Sequence, residues 1–246
     1  MALRLIFCLL AFIGSVAAQE LTINSPFFVG GVLKPAAGGV PNGNAFTVLS
    51  TNQGTSFTVT MPAGSVGDLC IYGIKWEGSG DVTGISGDVN GTYTMRTEVT
   101  HGNGDLHCRF AYKVATGTSS ETVTSTTSGT CTFPDAFCLR ASASGTIAYD
   151  TEANGSGTST SVASGTFTTA TVNGLTCALY GAYSSATLTV PKIGANTGIT
   201  YPAAQPAEHS WAWSFQNTAQ YSGATATATL SGSNPWIITT ISVKAQ

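Results

Sequence analysis

Leu106-His107-Cys108-Arg109-Phe110-Ala111-Tyr112-Lys113-Val114 is the stretch that decides the fold. Successive side chains of an extended chain point to opposite faces, so Leu106, Cys108, Phe110, Tyr112 and Val114 share one side. His107, Arg109 and Lys113 share the other. The period of two predicts a half-buried β-strand with one face in the core and one in solvent.

The same alternation recurs on both sides of this stretch. Phe57, Val59 and Met61 alternate with Thr58 and Thr60, and Tyr93, Met95 and Val99 with Thr94, Arg96 and Glu98. Ile237, Ile241 and Val243 alternate with Ile238, Thr240 and Ser242. Ala224, Ala226, Ala228 and Leu230 alternate with threonines, which predicts a strand with a closely packed inner face. Asp68 to Trp76 is apolar on both faces and reads as the centre of a sheet. Turn clusters lie between these runs, at Glu77-Gly78-Ser79-Gly80-Asp81, Gly102-Asn103-Gly104-Asp105 and Asn154-Gly155-Ser156-Gly157. Helical periodicity of useful length is missing after residue 20. About ten to twelve short strands at this spacing predict an all-β, antiparallel, jelly-roll-like β-sandwich.

Composition agrees with that class. Thr (38), Ser (25) and Gly (29) make up 37% of the 246 residues, and charged residues only 9%. That balance favours strands and turns over helical bundles. A hydrophobic fraction of 42% is too high for a disordered chain. Nine Lys and Arg against twelve Asp and Glu leave no basic stripe for a phosphate backbone, so the sequence gives no nucleic-acid partner.

Residues 1–18 read as a secretory signal peptide: Arg4 supplies the positive start, Leu5 to Ile13 the apolar run, and Val16-Ala17-Ala18 the small-residue cleavage site. The run is shorter than the roughly 20 residues of a bilayer span, and no second run of membrane length follows. The expected product is therefore secreted or held at an extracytoplasmic surface, with residues 19–44 as an N-terminal arm and 45–246 as the β-sandwich domain. In the arm, Leu21-Thr22-Ile23 and Phe27-Phe28-Val29 are β-competent, while Pro35, Pro41 and the glycines are expected to keep it from folding back as a regular strand.

Export makes disulfides possible. Cys70, Cys108, Cys131, Cys138 and Cys177 remain after the signal, an odd number. Cys131 and Cys138 bracket the turn-like Thr132-Phe133-Pro134-Asp135 and are the expected bridge; Cys108 and Cys177 fall at core-facing strand positions. Zinc is not expected, because no C-x-x-C pair is present and the histidines do not cluster with the cysteines.

Three stretches carry a family resemblance. They are Gly67-Asp68-Leu69-Cys70-Ile71 through Trp76-Glu77-Gly78, Phe110-Ala111-Tyr112-Lys113-Val114-Ala115, and Ala226-Thr227-Ala228-Thr229-Leu230-Ser231-Gly232-Ser233-Asn234-Pro235-Trp236 leading into Ile241-Ser242-Val243-Lys244. In order and spacing the chain resembles, over roughly residues 45–246, the jelly-roll-like β-sandwich domains of structural and tail-associated proteins of tailed bacteriophages and of related bacterial surface proteins. The resemblance implies a sandwich fold and a structural role in a virion or cell-surface particle.

No sequence constellation points to catalysis. There is neither a G-x-S-x-G elbow nor an H-E-x-x-H, and no cofactor or resident metal is implied. His107 beside Arg109 reads as a solvated surface pair, and His101 falls in a turn. Asp81 with Asp88, and Asp150 and Glu152 with Asn154, offer oxygen ligands but fit no calcium-loop pattern and read as solvated loop acids. Asn90-Gly91-Thr92 and Asn154-Gly155-Ser156 are glycosylation sequons if the host is eukaryotic. His209, Trp211, Trp213 and Phe215 share one face of a strand over Glu208 to Gln216. That row reads as core filling against the alanine face of the 224–230 strand, and alternatively as a platform for sugar rings.

Two functions follow. The first is an exported, non-enzymatic assembly protein that contacts copies of itself or a larger particle through sheet edges and the arm. The second is a glycan-binding module, with Trp76, Tyr201, Trp211 and Trp213 as the candidate contacts.

Overall fold

The computed structural model describes residues 28–29, 32–33, 46–103, 105–169, 174–183, 186–197, 199–202, 209–216 and 220–246. Residues 1–18, expected as a signal peptide, and most of the expected arm, 19–44, lie outside these residues. In chain order the strands are β1 (Phe28–Val29), β2 (Val32–Leu33), β3 (Phe46–Gly54), β4 (Thr58–Met61), β5 (Leu69–Glu77), β6 (Asp81–Gly87), β7 (Gly91–Thr92), β8 (Thr94–Met95), β9 (Val99–Thr100) and β10 (Leu106–Val114). They continue as β11 (Glu121–Ser128), β12 (Thr132–Ala143), β13 (Ile147–Ala163), β14 (Gly174–Tyr183), β15 (Leu188–Ile193), β16 (Asn196–Thr197), β17 (Ile199–Pro202), β18 (His209–Gln216) and β19 (Ala226–Ala245). β10 has the bounds that alternation predicts. Several strands are only two residues long, which raises the number above the sequence-based expectation.

The chain is an all-β, antiparallel sandwich with a further layer. One sheet has the order β1-β2-β3-β12-β5-β10-β8, with β9 also on β10; a second runs β4-β11-β6-β7; a third runs β16-β15-β19-β14-β18-β17, with β13 also on β19. The first sheet lies in the middle. Its face bearing Ile71, Phe110, Phe137 and Leu139 packs against Leu179, Trp213 and Ile241 of the third sheet. Its face bearing Tyr72, Ile74, Trp76 and Ala111 packs against Val59, Val82, Ile85 and Val123 of the second. Every residue of β5 is buried, as its apolar run predicts for a central strand.

The third sheet makes a core on its outer side as well. Opposite Thr160 of β13, β19 carries Leu230 to Ser233, between the register pairs Ser161↔Thr229 and Ser159↔Asn234. Extra residues in one strand bend it. Beyond that bulge Ala226, Ala228 and Leu230 join Ala178, Tyr180, Ala212 and Ile238 in one buried cluster.

The middle position of the first sheet corrects the reading of β10's polar face. His107 is buried, and Arg109 is largely covered, because β6 and its sheet lie over them. A single strand's alternation identifies one buried face but does not reveal a second layer on the other. Likewise Asn154 to Gly157, expected as a turn, lies inside the 17-residue β13, where β19 supplies the hydrogen-bonding partner strand.

The expected Cys131–Cys138 disulfide is absent, and both thiols are free. Residues 132 to 143 form a strand rather than a closed loop. Seven residues of extended chain span roughly 20 Å, far beyond the ~6 Å between the Cα atoms of a bridged pair.

Part of the arm also folds back. β1 and β2 pair through Phe28↔Leu33 and Val29↔Val32, and β2 meets the β3 edge at Leu33↔Thr51.

Candidate functional site

Three of the four aromatic candidates, Trp76, Trp211 and Trp213, face inward. Trp211 and Trp213 project from β18 into the core between the first and third sheets, each 1% exposed. The Trp213 ring stacks on Phe137 of β12, with centroids 4.2 Å apart and planes 5° from parallel. Its Nε1 donates to Gln53 Oε1 at 3.0 Å. The partner of the row is therefore the middle sheet, while the alanines of β19 pack behind β18 with Ala212. Trp76 is fully buried at the end of β5, stacks on His107, and donates its Nε1 hydrogen to Gly80 O. These three tryptophans present no ring to a sugar, which corrects their assignment as glycan contacts. Tyr201 lies opposite Trp213 in β17. Its side chain, and that of His209, lie outside the described residues.

A partly open polar cluster joins β6, β10 and the segment before β9. Glu98 accepts from His107 Nδ1 at 2.7 Å and from Arg109 Nη2 at 2.8 Å, and Asp81 Oδ1 lies 3.7 Å from Arg109 Nη1. His107 Nε2 meets Gly78 O at 2.9 Å. Both ring nitrogens thus face acceptors, an arrangement that suits the imidazolium form. Burial alone would raise the Glu98 carboxyl, but hydrogen bonds from His107 and Asp81 and the Arg109 charge hold it at about 2. Asp81 moves the other way, raised by burial and by its neighbour Glu98. With its charges mutually compensated, the cluster ties β6 to β10 and presents no unpaired base or nucleophile.

The calcium candidates have protein partners. Asp88 Oδ1 accepts from Thr122 N, Glu152 accepts from Arg96 Nε and the Thr97 hydroxyl, and Asn154 Oδ1 accepts from the Thr239 hydroxyl. Among the described residues no group of three acidic, His or Cys side chains is placed to hold a metal ion. The Asn90 sequon is corrected too. Asn90 is buried; its Nδ2 donates to Glu121 and its Oδ1 accepts from Thr116 N and Gly117 N, so its amide offers no site for a glycan.

Buried charge is the feature that the sequence reading missed. Arg140 of β12 is fully buried; its Nε donates to Asp68 Oδ2 at 3.0 Å, and its terminal nitrogens donate to the carbonyls of Pro62, Ser65 and Gly117. Glu121 accepts from Asn90 and from the Tyr93 hydroxyl. Lys75 Nζ, also fully buried, lies 2.7 Å from Glu77 Oε1 and 3.6 Å from Asp135 Oδ2. The signal was present in the sequence: Lys75 interrupts an apolar run, and Arg140 sits between Leu139 and Ala141.

Cys70, Cys108, Cys138 and Cys177 are buried and placed as small apolar groups, while Cys131 is half-buried. Burial pushes the Cys70 thiol up to about 12 and raises Cys108, Cys138 and Cys177 as well, so the reactive thiolate is disfavoured. The β3 edge is nine residues long and, among the described residues, is joined to β2 at Leu33↔Thr51. The chain matches no known protein family, no curated protein and no solved structure.

Proposed function

We propose that the protein is an exported, non-enzymatic structural subunit that assembles with its own copies or into a larger virion or cell-surface particle. The observation that carries this reading is the contact of the arm with a sheet edge: among the described residues, β2 meets β3 at Leu33↔Thr51. A terminal strand paired on a sheet edge can be exchanged between copies, because the β3 edge of a neighbouring copy offers it the same main-chain partners. A Thr- and Ser-rich surface with few charges suits protein contacts that do not depend on low salt. The resemblance to phage structural domains points the same way, and the signal-like pattern of residues 1–18 supports export.

Deleting residues 19–44 tests the proposal by light scattering coupled to size-exclusion chromatography. The full mature chain forms oligomers, and the truncated chain stays folded but monomeric. Monomers in both cases, with retention on a glycan matrix, would instead support the glycan-binding alternative.

A further inference from the structure

Lys75, Glu77 and Asp135 form a group that neither the fold nor the assembly reading requires. Lys75 and Asp135 are direct register partners on the adjacent central strands β5 and β12, and Glu77 follows Lys75 on the same face of β5. Side-chain exposure is 0% for Lys75, 4% for Glu77 and 3% for Asp135. Gly181 of β14 lies over the lysine stem, where an added Cβ would come 3.0 Å from Lys75 Cγ, so a larger residue there would crowd the stem. A buried amine, a carboxyl and a second carboxylate are thus held at 2.7 and 3.6 Å with water excluded.

We infer that Lys75 and Asp135 condense to an intramolecular amide, with Glu77 as the proton carrier, so that β5 and β12 become covalently joined. One Nζ proton passes to the Asp135 carboxylate, giving a neutral amine and a neutral acid. The amine lone pair attacks Cγ of Asp135, Glu77 takes a second proton from Nζ, and the tetrahedral centre forms. Glu77 then returns that proton to the departing hydroxyl, which leaves as water. A new C–N bond replaces a C–O bond, the amide keeps the third proton, Glu77 is regenerated, and no oxidant or activating nucleotide takes part.

The surroundings favour the condensation. Burial first, opposed by the Lys75 charge, pushes the Asp135 carboxyl up to about 6, which favours the protonated acid whose hydroxyl can leave. Holding amine and acid side by side replaces an encounter in water; such intramolecular placement reaches effective concentrations of about 10⁵ M or more. The product removes two buried charges whose desolvation an ion pair only partly offsets.

Intact mass spectrometry of the purified chain in denaturant tests the inference. The mass should fall short of that calculated for the observed N-terminus by one water, and proteolysis should release one branched peptide containing Lys75 and Asp135. Lys75→Arg and Asp135→Ala should each restore the full mass, and Glu77→Gln should slow or abolish the loss. A folded wild-type chain at full mass overturns the inference without recourse to any variant. So does a water loss that maps to another residue, such as a succinimide.

Discussion

Arg140 Nε and Asp68 Oδ2 meet at 3.0 Å between the middle sheet and the loops at its end, with the guanidinium fully buried. The same guanidinium holds the carbonyls of Pro62, Ser65 and Gly117, so one side chain fixes the chain entering β5 and the turn leaving β10. Arg140→Met leaves Asp68 buried beside an apolar group and should cost about 3–5 kcal/mol. Urea unfolding checks this. Asp68→Asn added to Arg140→Met should recover part of the loss, since the remaining group is then uncharged; a double variant no more stable than Arg140→Met would place the loss in packing alone.

Trp213 joins two layers through its stack on Phe137. Trp213→Ala should destabilise by about 3–5 kcal/mol, the range for deleting a large core aromatic. A thermal melt of Trp213→Ala alongside wild type measures it, and a change within 0.5 kcal/mol, typical of surface positions, would contradict the burial.

How far the sequence was legible depended on how many faces of a strand were covered. Leu106 to Val114 was read to its exact bounds because one complete apolar face repeated at every second residue. Asp68 to Trp76 was placed centrally because both of its faces were apolar. His107 and Arg109 were misread because a strand's polar face looks alike whether water or a compensating Glu98 lies over it. Trp76 was misread because a Gly-rich turn follows it, although that turn folds back to accept its indole hydrogen. The bends of β13 and β19 stayed hidden, since Gly155 and Gly232 signal turns locally while long-range pairing extends both strands. Lys75 and Arg140 were visible as charges at buried phases, but apart from nearby Glu77 their acidic partners, Asp135 and Asp68, lie far away in the chain and only the folded sheets bring them together.

The Glu98 carboxyl, held at about 2 against an ordinary 4.5, gives a pH dependence of fixed sign. A depressed acid contributes stability that is complete above its unfolded value and is lost as pH falls through the folded one. Melting temperature should therefore drop between pH 4.5 and about 2 in wild type, and less steeply in Glu98→Gln. Asp135 as a free acid works oppositely: its raised value contributes stability at low pH that is lost as pH rises through about 6. An amide-linked Asp135 shows no such loss, so the melting curves report separately on the two sites.

Val190 has φ of 49° and is 55% exposed, beside the register shift between Thr189 and Lys192. A β-branched residue in the left-handed region is strained by about 1–2 kcal/mol. Val190→Gly removes the Cβ and should raise stability by up to about 1 kcal/mol after the glycine's extra unfolded-state entropy is counted. Chemical denaturation would show a higher midpoint with an unchanged slope; a lower midpoint would mean that Val190 makes contacts worth more than its strain.

The most direct test of assembly by arm exchange is a paired cysteine substitution at the register position, Leu33→Cys with Thr51→Cys, oxidised at assembling concentration and resolved on a denaturing, non-reducing gel. Arm exchange predicts covalent dimers and a ladder of higher oligomers that collapse on reduction. Bands confined to the cross-linked monomer at every concentration would show that each arm stays on its own β3 edge, and would contradict the account.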